Sequence, residues 1–267
     1  MKYAYFPGCK IPGYLPEYGH SVQSLCHRLD IQLVPLEFAC CGWPIRQENE
    51  LASVYSAIRN VALAARAGLD ILTPCKCCFG NLRHAMVRID RDTHLATAVE
   101  ALLHNERLAI PRDTRVRHLL AVLDREVGAS RIAAMVRHPL TDMRIACHYG
   151  CHALRPGNVT EFDDPLAPTI FERILSATGA QTVEWELRLE CCGYPLRGRD
   201  DSLADALLRR KRENAHVAGA TVLATACTYC HMQFAQHRPG TADLASPPAP
   251  AMPQAVLFTH LLETALG

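Results

Sequence analysis

One five-cysteine pattern occurs twice in this chain, and a repeat of that kind restricts the fold to one assembled from two copies of a structural unit. The first copy reads Cys9, then Cys40-Cys41-Gly42, then Cys75-Lys76-Cys77-Cys78. The second reads Cys151, then Cys191-Cys192-Gly193, then Cys227-Thr228-Tyr229-Cys230. Between the adjacent pair and the Cys-x-x-Cys pair lie 33 residues in the first copy and 34 in the second. The likeness extends to the neighbours. Phe38-Ala39-Cys40-Cys41-Gly42-Trp43-Pro44-Ile45-Arg46 aligns with Leu189-Glu190-Cys191-Cys192-Gly193-Tyr194-Pro195-Leu196-Arg197, and Ile71 to Cys75 aligns with Leu223 to Cys227.

Each copy predicts the same order of elements. Lys2 to Phe6 reads as a short buried strand leading to Cys9. Glu17 to Leu29 has apolar residues at helical spacing, and Ile31 to Leu36 is a second strand delivering Cys40 and Cys41. Glu48 to Ala67 is a helix closed by Gly68, Leu69 to Thr73 a third strand, and Cys75 to Cys78 opens the next helix. The second copy follows suit: strand Arg144 to Cys147, helix Pro168 to Thr178, strand Gln181 to Trp185, helix Leu203 to Ala218, strand Thr221 to Thr225 and a helix from Cys227. Strands alternating with helices predict an α/β fold of two pseudo-symmetric Rossmann-like halves with small parallel sheets, their sites at the carboxyl ends of the strands. The expected division is a first half at 1–83, a helical connector at 84–140, and a second half at 141–267 with a closing helix, Val256 to Leu266. Pro239 to Pro253 is expected to be an irregular surface loop.

At 267 residues and 49% apolar, the chain can bury a substantial core. Its net charge of +1 gives no electrostatic case for nucleic acid or an anionic membrane. Arginine outnumbers lysine 24 to 4, which reads as GC-rich bacterial base composition. No export signal and no membrane-spanning stretch are legible, so thirteen cysteines predict a reducing cytoplasm, where cysteine clusters bind metal or do redox work.

Five thiols per copy is one more than a tetrahedral zinc or a cubane iron–sulfur cluster takes. A Cys-x-x-Cys at a helix start puts two thiols within one turn, where the exposed N–H groups favour thiolate. Adjacent cysteines normally point apart, so both bind only if the backbone turns sharply, which Gly42 and Gly193 permit, or if the cluster is large enough to be reached twice. Two zinc sites are the nearest alternative, and the fifth thiol counts against them. The ferredoxin run of cysteines is absent.

These residues resemble the duplicated cysteine-rich CCG domain, and more closely the B subunit of heterodisulfide reductase and its bacterial relatives. The resemblance runs through Tyr5-Phe6-Pro7-Gly8-Cys9, Cys40-Cys41-Gly42, Pro74-Cys75, Val116-Arg117-His118-Leu119-Leu120, His148 to Pro156, Cys227 to Met232, and Val256-Leu257-Phe258 with Leu261-Leu262. It implies two non-cubane [4Fe-4S] clusters facing each other, with a disulfide or related sulfur substrate cleaved between them. The implied ligands are Cys9, Cys40, Cys41, Cys75 and Cys78 for one cluster and Cys151, Cys191, Cys192, Cys227 and Cys230 for the other. The implied partners are a C subunit with cubane clusters and an A subunit carrying the flavin. This chain has no dinucleotide or P-loop fingerprint, so no flavin is expected in it and electrons must come from a partner.

His148, His152 and His231 adjoin the second cysteine set in sequence and are candidate proton donors. Arg46, Arg155 and Arg197 follow cysteine motifs; Arg46 and Arg197 are the candidate contacts for a substrate anion, with buttressing salt bridges as the plainer role. Cys77 makes the first set Cys-x-Cys-Cys and so could compete for a ligand position, though Cys75 and Cys78 keep the helical spacing and Cys77 reads as a spectator; Cys147 reads as a strand-end core thiol and Cys26 as helix packing. The chain ends sooner after its closing helix than the resemblance leads one to expect, so a partner's docking surface is expected to differ. The leading expectation is an oxidoreductase subunit acting on sulfur groups in a heterodisulfide reductase-like complex, in either direction. The alternative is an electron-transfer CCG subunit of a succinate dehydrogenase, glycolate oxidase or lactate-utilisation type complex.

Overall fold

The computed structural model describes residues 1–235 and 252–267, so most of the expected loop from Pro239 to Pro253 lies outside the described residues. The chain forms two compact units, one of residues 1–127 with 152–168 and one of residues 128–151 with 169–267. In chain order the elements begin with β1 (Lys2–Tyr5), α1 (Lys10–Tyr14), α2 (Pro16–Arg28), β2 (Gln32–Pro35), α3 (Glu50–Arg66) and β3 (Ile71–Thr73). They continue with α4 (Lys76–Arg91), α5 (Thr93–His104), β4 (Val116–His118), α6 (Leu119–Val122), α7 (Ala129–Met135) and β5 (Arg144–His148). Then come α8 (Gly157–Thr160), α9 (Ile170–Ser176), β6 (Gln181–Val183), α10 (Asp201–Val217), β7 (Val222–Thr225), α11 (Thr228–Ala235), β8 (Gln254–Leu257) and α12 (Phe258–Leu266).

Among the described residues each unit holds one four-stranded sheet, in the order β2-β1-β3-β4 and β6-β5-β7-β8. Every strand pair is parallel, as expected when helical crossovers join the strands. Of the inner strands, β1 and β5 begin on an exposed residue, Lys2 and Arg144, whereas β3 and β7 are buried along their length: Ile71, Leu72 and Thr73, and Val222 to Thr225. That is the signature of strands covered on both faces. The outer strand β2 ends in Pro35, which an edge tolerates because it has no N–H to give to a neighbour. Helix α3 begins where Asn49 accepts a hydrogen bond from Ala52 N at 2.9 Å, and α10 where Asp200 accepts one from Leu203 N at 2.9 Å.

The α/β reading with two like parallel sheets holds. Sequence reasoning expects three strands per copy, and the structure adds a fourth to each. Strand β4 lies in the stretch expected to be helical, pairing Leu72 with Arg117, and β8 occupies the start of the expected closing helix, pairing Ala224 with Val256. Both are only 3–4 residues long and run straight into a helix, too short for alternation to show. Among the described residues no helix is long and apolar enough to cross a membrane.

Candidate metal centre

The cysteines of each set lie just past the carboxyl ends of their strands: Cys9, Cys40-Cys41 and Cys75 follow β1, β2 and β3, and Cys151, Cys191-Cys192 and Cys227 follow β5, β6 and β7. In the first unit the five thiols make contact as a chain. Cys9 meets Cys40 with 3.8 Å between sulfurs, Cys40 meets Cys41, Cys41 meets Cys78, and Cys78 meets Cys75. The second unit repeats the same order: Cys151 to Cys191, Cys191 to Cys192, Cys192 to Cys230, and Cys230 to Cys227. None of the thirteen cysteines is in a disulfide.

The glycine after each adjacent pair is required twice over. Gly42 has φ +86° and Gly193 +88°, which glycine alone adopts freely. A Cβ on Gly42 would stand 2.4 Å from Ser53 O of α3, and one on Gly193 2.9 Å from Ala204 O of α10. The turn thus sends two neighbouring thiols toward one centre while the backbone packs against the helix. Gly8 plays a related part, since a Cβ there would lie 2.7 Å from Cys78 Sγ.

The two loops are held differently. In the first, Ser53 Oγ donates to Gly42 O (3.0 Å), Ser56 Oγ to Cys40 O (2.6 Å), and Asn81 Nδ2 to Cys41 O (2.6 Å). Asn60 accepts from Ala39 N at 2.9 Å and donates to Cys40 O at 3.0 Å. In the second, Ala204 and Leu207 stand where the serines were, and Lys211 stands where Asn60 was. Lys211 Nζ donates to Leu187 O and, at 3.0 Å, to Glu190 O, and lies 4.9 Å from the centre of the Trp185 ring. Burial pushes its ammonium down to about 8, against a pull upward from Cys192 and Cys230. Sequence reasoning missed Asn60 and Lys211. The offset that aligns Cys40 with Cys191 aligns these two as well, so the repeat carried into the helices would have found them.

Crowding decides how the thiols ionise. Cys40 is held down to about 2 by hydrogen bonds from Cys41 and then Cys9. Its neighbours show the converse: Cys9 and Cys41 are pushed up chiefly by their hydrogen bonds to Cys40, and Cys78 by its bonds to Cys41 and Cys75. In the second unit Cys192 is pushed up to about 12, first by Cys191, and Cys151 and Cys230 are also raised. Like charges in one low-dielectric pocket cannot all ionise without a cation among them. Bound metal supplies it and takes thiolate ligands outright, so the donor set fits a thiolate-ligated metal group.

Of the candidate proton donors, His148 is buried, with a ring nitrogen and the sulfurs of Cys192 and Cys230 all within 4.8 Å of one another. His231 Nδ1 lies 3.4 Å from Thr225 Oγ1. His152 follows Cys151 in sequence but belongs to the first unit. There its Nε2 accepts from Trp43 Nε1 at 3.0 Å, and its Nδ1 lies 3.7 Å from Cys77 Sγ. Indole nitrogen can only donate, so the imidazole proton sits on Nδ1, facing Cys77. Gly80 of α4 makes room, since a Cβ there would stand 2.4 Å from His152 O. Cys147 is buried in β5, where its carbonyl accepts from Trp185 Nε1 at 3.1 Å, and Cys26 is buried in α2.

Arg197 is committed to its surroundings, donating to Gln233 Oε1 at 2.8 Å and pairing with Asp205 at 2.6 Å. Arg46 stacks its guanidinium 4.0 Å above the Trp43 ring and donates to Trp43 O. It also lines a cavity of about 280 Å³ with His84, Arg88 and His152, beside the Cys40-Cys41 loop.

The cysteine-rich domain family, CCG, matches residues 3–83 and 145–235. The B subunit of the ferredoxin:CoB-CoM heterodisulfide reductase of Methanosarcina mazei is 29% identical over 240 residues, spanning 87% of this chain and 79% of that one. The membrane anchor subunit of the 8-methylmenaquinol:fumarate reductase of Wolinella succinogenes is 32% identical over 235 residues, spanning 87% and 81%. Among solved structures, the crystal structure of a hypothetical protein from Helicobacter pylori matches with a TM-score of 0.77 at 12% identity. It covers 100% of this chain, which spans 49% of that one, and the likeness speaks to the fold alone.

Proposed function

The chain belongs to the cysteine-rich CCG domain family, and from that premise we propose that it is the catalytic iron–sulfur subunit of a heterodisulfide reductase-like complex. The observation that carries the reading is the same five-thiol chain assembled twice, in one order, at the ends of two like sheets. Cys9, Cys40, Cys41, Cys75 and Cys78 hold one non-cubane [4Fe-4S] cluster, and Cys151, Cys191, Cys192, Cys227 and Cys230 hold the other. Bound there, such clusters supply electrons singly to the two sulfurs of a disulfide.

The reaction is RSSR′ + 2e⁻ + 2H⁺ → RSH + R′SH, or its reverse. This chain's side chains must orient the substrate and hold protons. In this reading His148, beside Cys192 and Cys230, holds one, and His231 lies on the helix that carries Cys230. His152 keeps its proton on Nδ1 toward Cys77. Arg46, in a cavity with His84 and the Arg88–Glu50 ion pair, suits an anionic group on the substrate better than Arg197, whose guanidinium is neutralised by Asp205. Electrons enter from partner subunits, a C subunit with cubane clusters and an A subunit with flavin, in the cytoplasm. A subunit role is supported by the relatives, which are named as subunits of reductases.

A second reading is favoured by the fumarate reductase relative: an electron-transfer subunit whose partner does the chemistry. One anaerobic experiment separates them. The purified chain is assayed for iron and acid-labile sulfide, then given reduced methyl viologen and a disulfide. The first reading expects about eight irons with matching sulfide, as two four-iron clusters need, and two thiols released per two viologens oxidised. Iron and sulfide without disulfide cleavage leaves the electron-transfer reading. Zinc without sulfide ends both.

A further inference from the structure

The chain has only four lysines, and two of them, Lys76 and Lys211, are buried to 2% exposure, one at each cysteine set. They do not occupy equivalent places in the repeat. Lys76 stands between Cys75 and Cys77 at the start of α4, where the second copy has Thr228. Lys211 comes from the middle of α10, where the first copy has Asn60. A buried ammonium is expensive unless an anion answers it. Lys211 donates to two backbone carbonyls and pairs with no carboxylate among the described residues. The anions that act on it are the thiolates of its own set, Cys192 and Cys230 foremost, and after them the Glu190 carboxylate. Two halves that each gained one buried lysine, from different helices, point to a shared need for a positive charge at each centre.

Resting on the iron–sulfur reading above, we infer that Lys211 is a positioning residue that fixes the Leu187–Glu190 loop ahead of Cys191 and Cys192 and supplies the counter-charge for the anionic group bound by the second set. Lys76 supplies the counter-charge at the first. A neighbouring fixed positive charge favours the reduced, more negative state, so each lysine raises the reduction potential of its own site. The first loop is held by neutral groups, Ser53, Ser56 and Asn60, and needs no ammonium for positioning. In the second loop one lysine takes on both tasks.

The test is a redox titration of the iron-loaded chain, followed by electron paramagnetic resonance, with iron counted on the same samples. Lys211→Gln keeps a donor for the carbonyls and removes the charge; Lys211→Arg keeps the charge. The expected result is a reduction equilibrium about tenfold less favourable in Lys211→Gln, 59 mV for one electron, at one signal only, with Lys211→Arg near wild type. Lys76→Gln is expected to move the other signal, and it carries the test should Lys211→Gln shed its iron. Full iron content with both signals unmoved by either glutamine overturns the inference and leaves the function standing. Equal shifts in Lys211→Gln and Lys211→Arg overturn it too, since shape rather than charge is then at work. A chain that binds no iron overturns both.

Discussion

Gly42 and Gly193 show how far single residues can be ranked from geometry. Both lie at positive φ, where an L side chain costs about 1–2 kcal/mol. They differ in what a methyl would meet: Ser53 O at 2.4 Å in the first unit, Ala204 O at 2.9 Å in the second. Both contacts are with helix backbone, which yields little. Gly42→Ala is therefore expected to strip most iron from the first set, and Gly193→Ala to lose less from the second. Iron per chain after anaerobic purification checks the order, and equal losses would show that φ alone decides. The turn at both glycines was legible in the sequence, because adjacent cysteines normally point apart and glycine permits the sharp turn that brings them to one centre. The placing of His152 was not. Adjacency to Cys151 suggests the second set, but the chain passes into the first unit at that residue, and its imidazole meets Trp43 and Cys77. Sequence order carries no side-chain direction.

At the scale of elements, α3 does more than cover the sheet: its buried Ser53 and Asn60 and its half-buried Ser56 hold the loop that delivers Cys40 and Cys41. Asn60 is wholly buried and answers Ala39 N, Ala39 O and Cys40 O together. Asn60→Leu conserves bulk but leaves Ala39 N and Ala39 O unpaired, at about 1–3 kcal/mol for each one denied water, while Cys40 O keeps Ser56 Oγ. The expected outcome is about 3 kcal/mol lost from the first unit, seen as an earlier urea midpoint, with chelators removing iron from the first set faster than from the second. An unchanged midpoint would mean that water replaces the amide. The strands before the cysteines were legible from their apolar runs. Strands β4 and β8 were not, because Val116-Arg117-His118 and Gln254 to Leu257 pass directly into α6 and α12, and the helical period masks them. The family resemblance included both segments, yet resemblance to a motif does not say which backbone it adopts.

For the whole molecule, the question is whether two like units behave as two independent binders. Each sheet, loop and thiol chain is complete within its own unit: Cys78 closes the first chain between Cys41 and Cys75, and Cys230 closes the second between Cys192 and Cys227. Removing either interior thiol should therefore dismantle one set and spare the other. Cys78→Ser and Cys230→Ser are each expected to fall from about eight irons to about four, and the double variant to none, on the four-iron count of such clusters. Cys77→Ser, which touches only the thiol facing His152, should keep the full count; a loss of four would promote Cys77 from spectator to ligand. Catalysis is expected to follow a different rule. Two electrons leave or enter each disulfide, so if the paired sites divide them, either single variant should lose at least nine-tenths of the thiol release while retaining half its iron. A single variant that keeps half its turnover would instead mean that one site suffices, and the duplication would then serve electron storage rather than the cleavage itself.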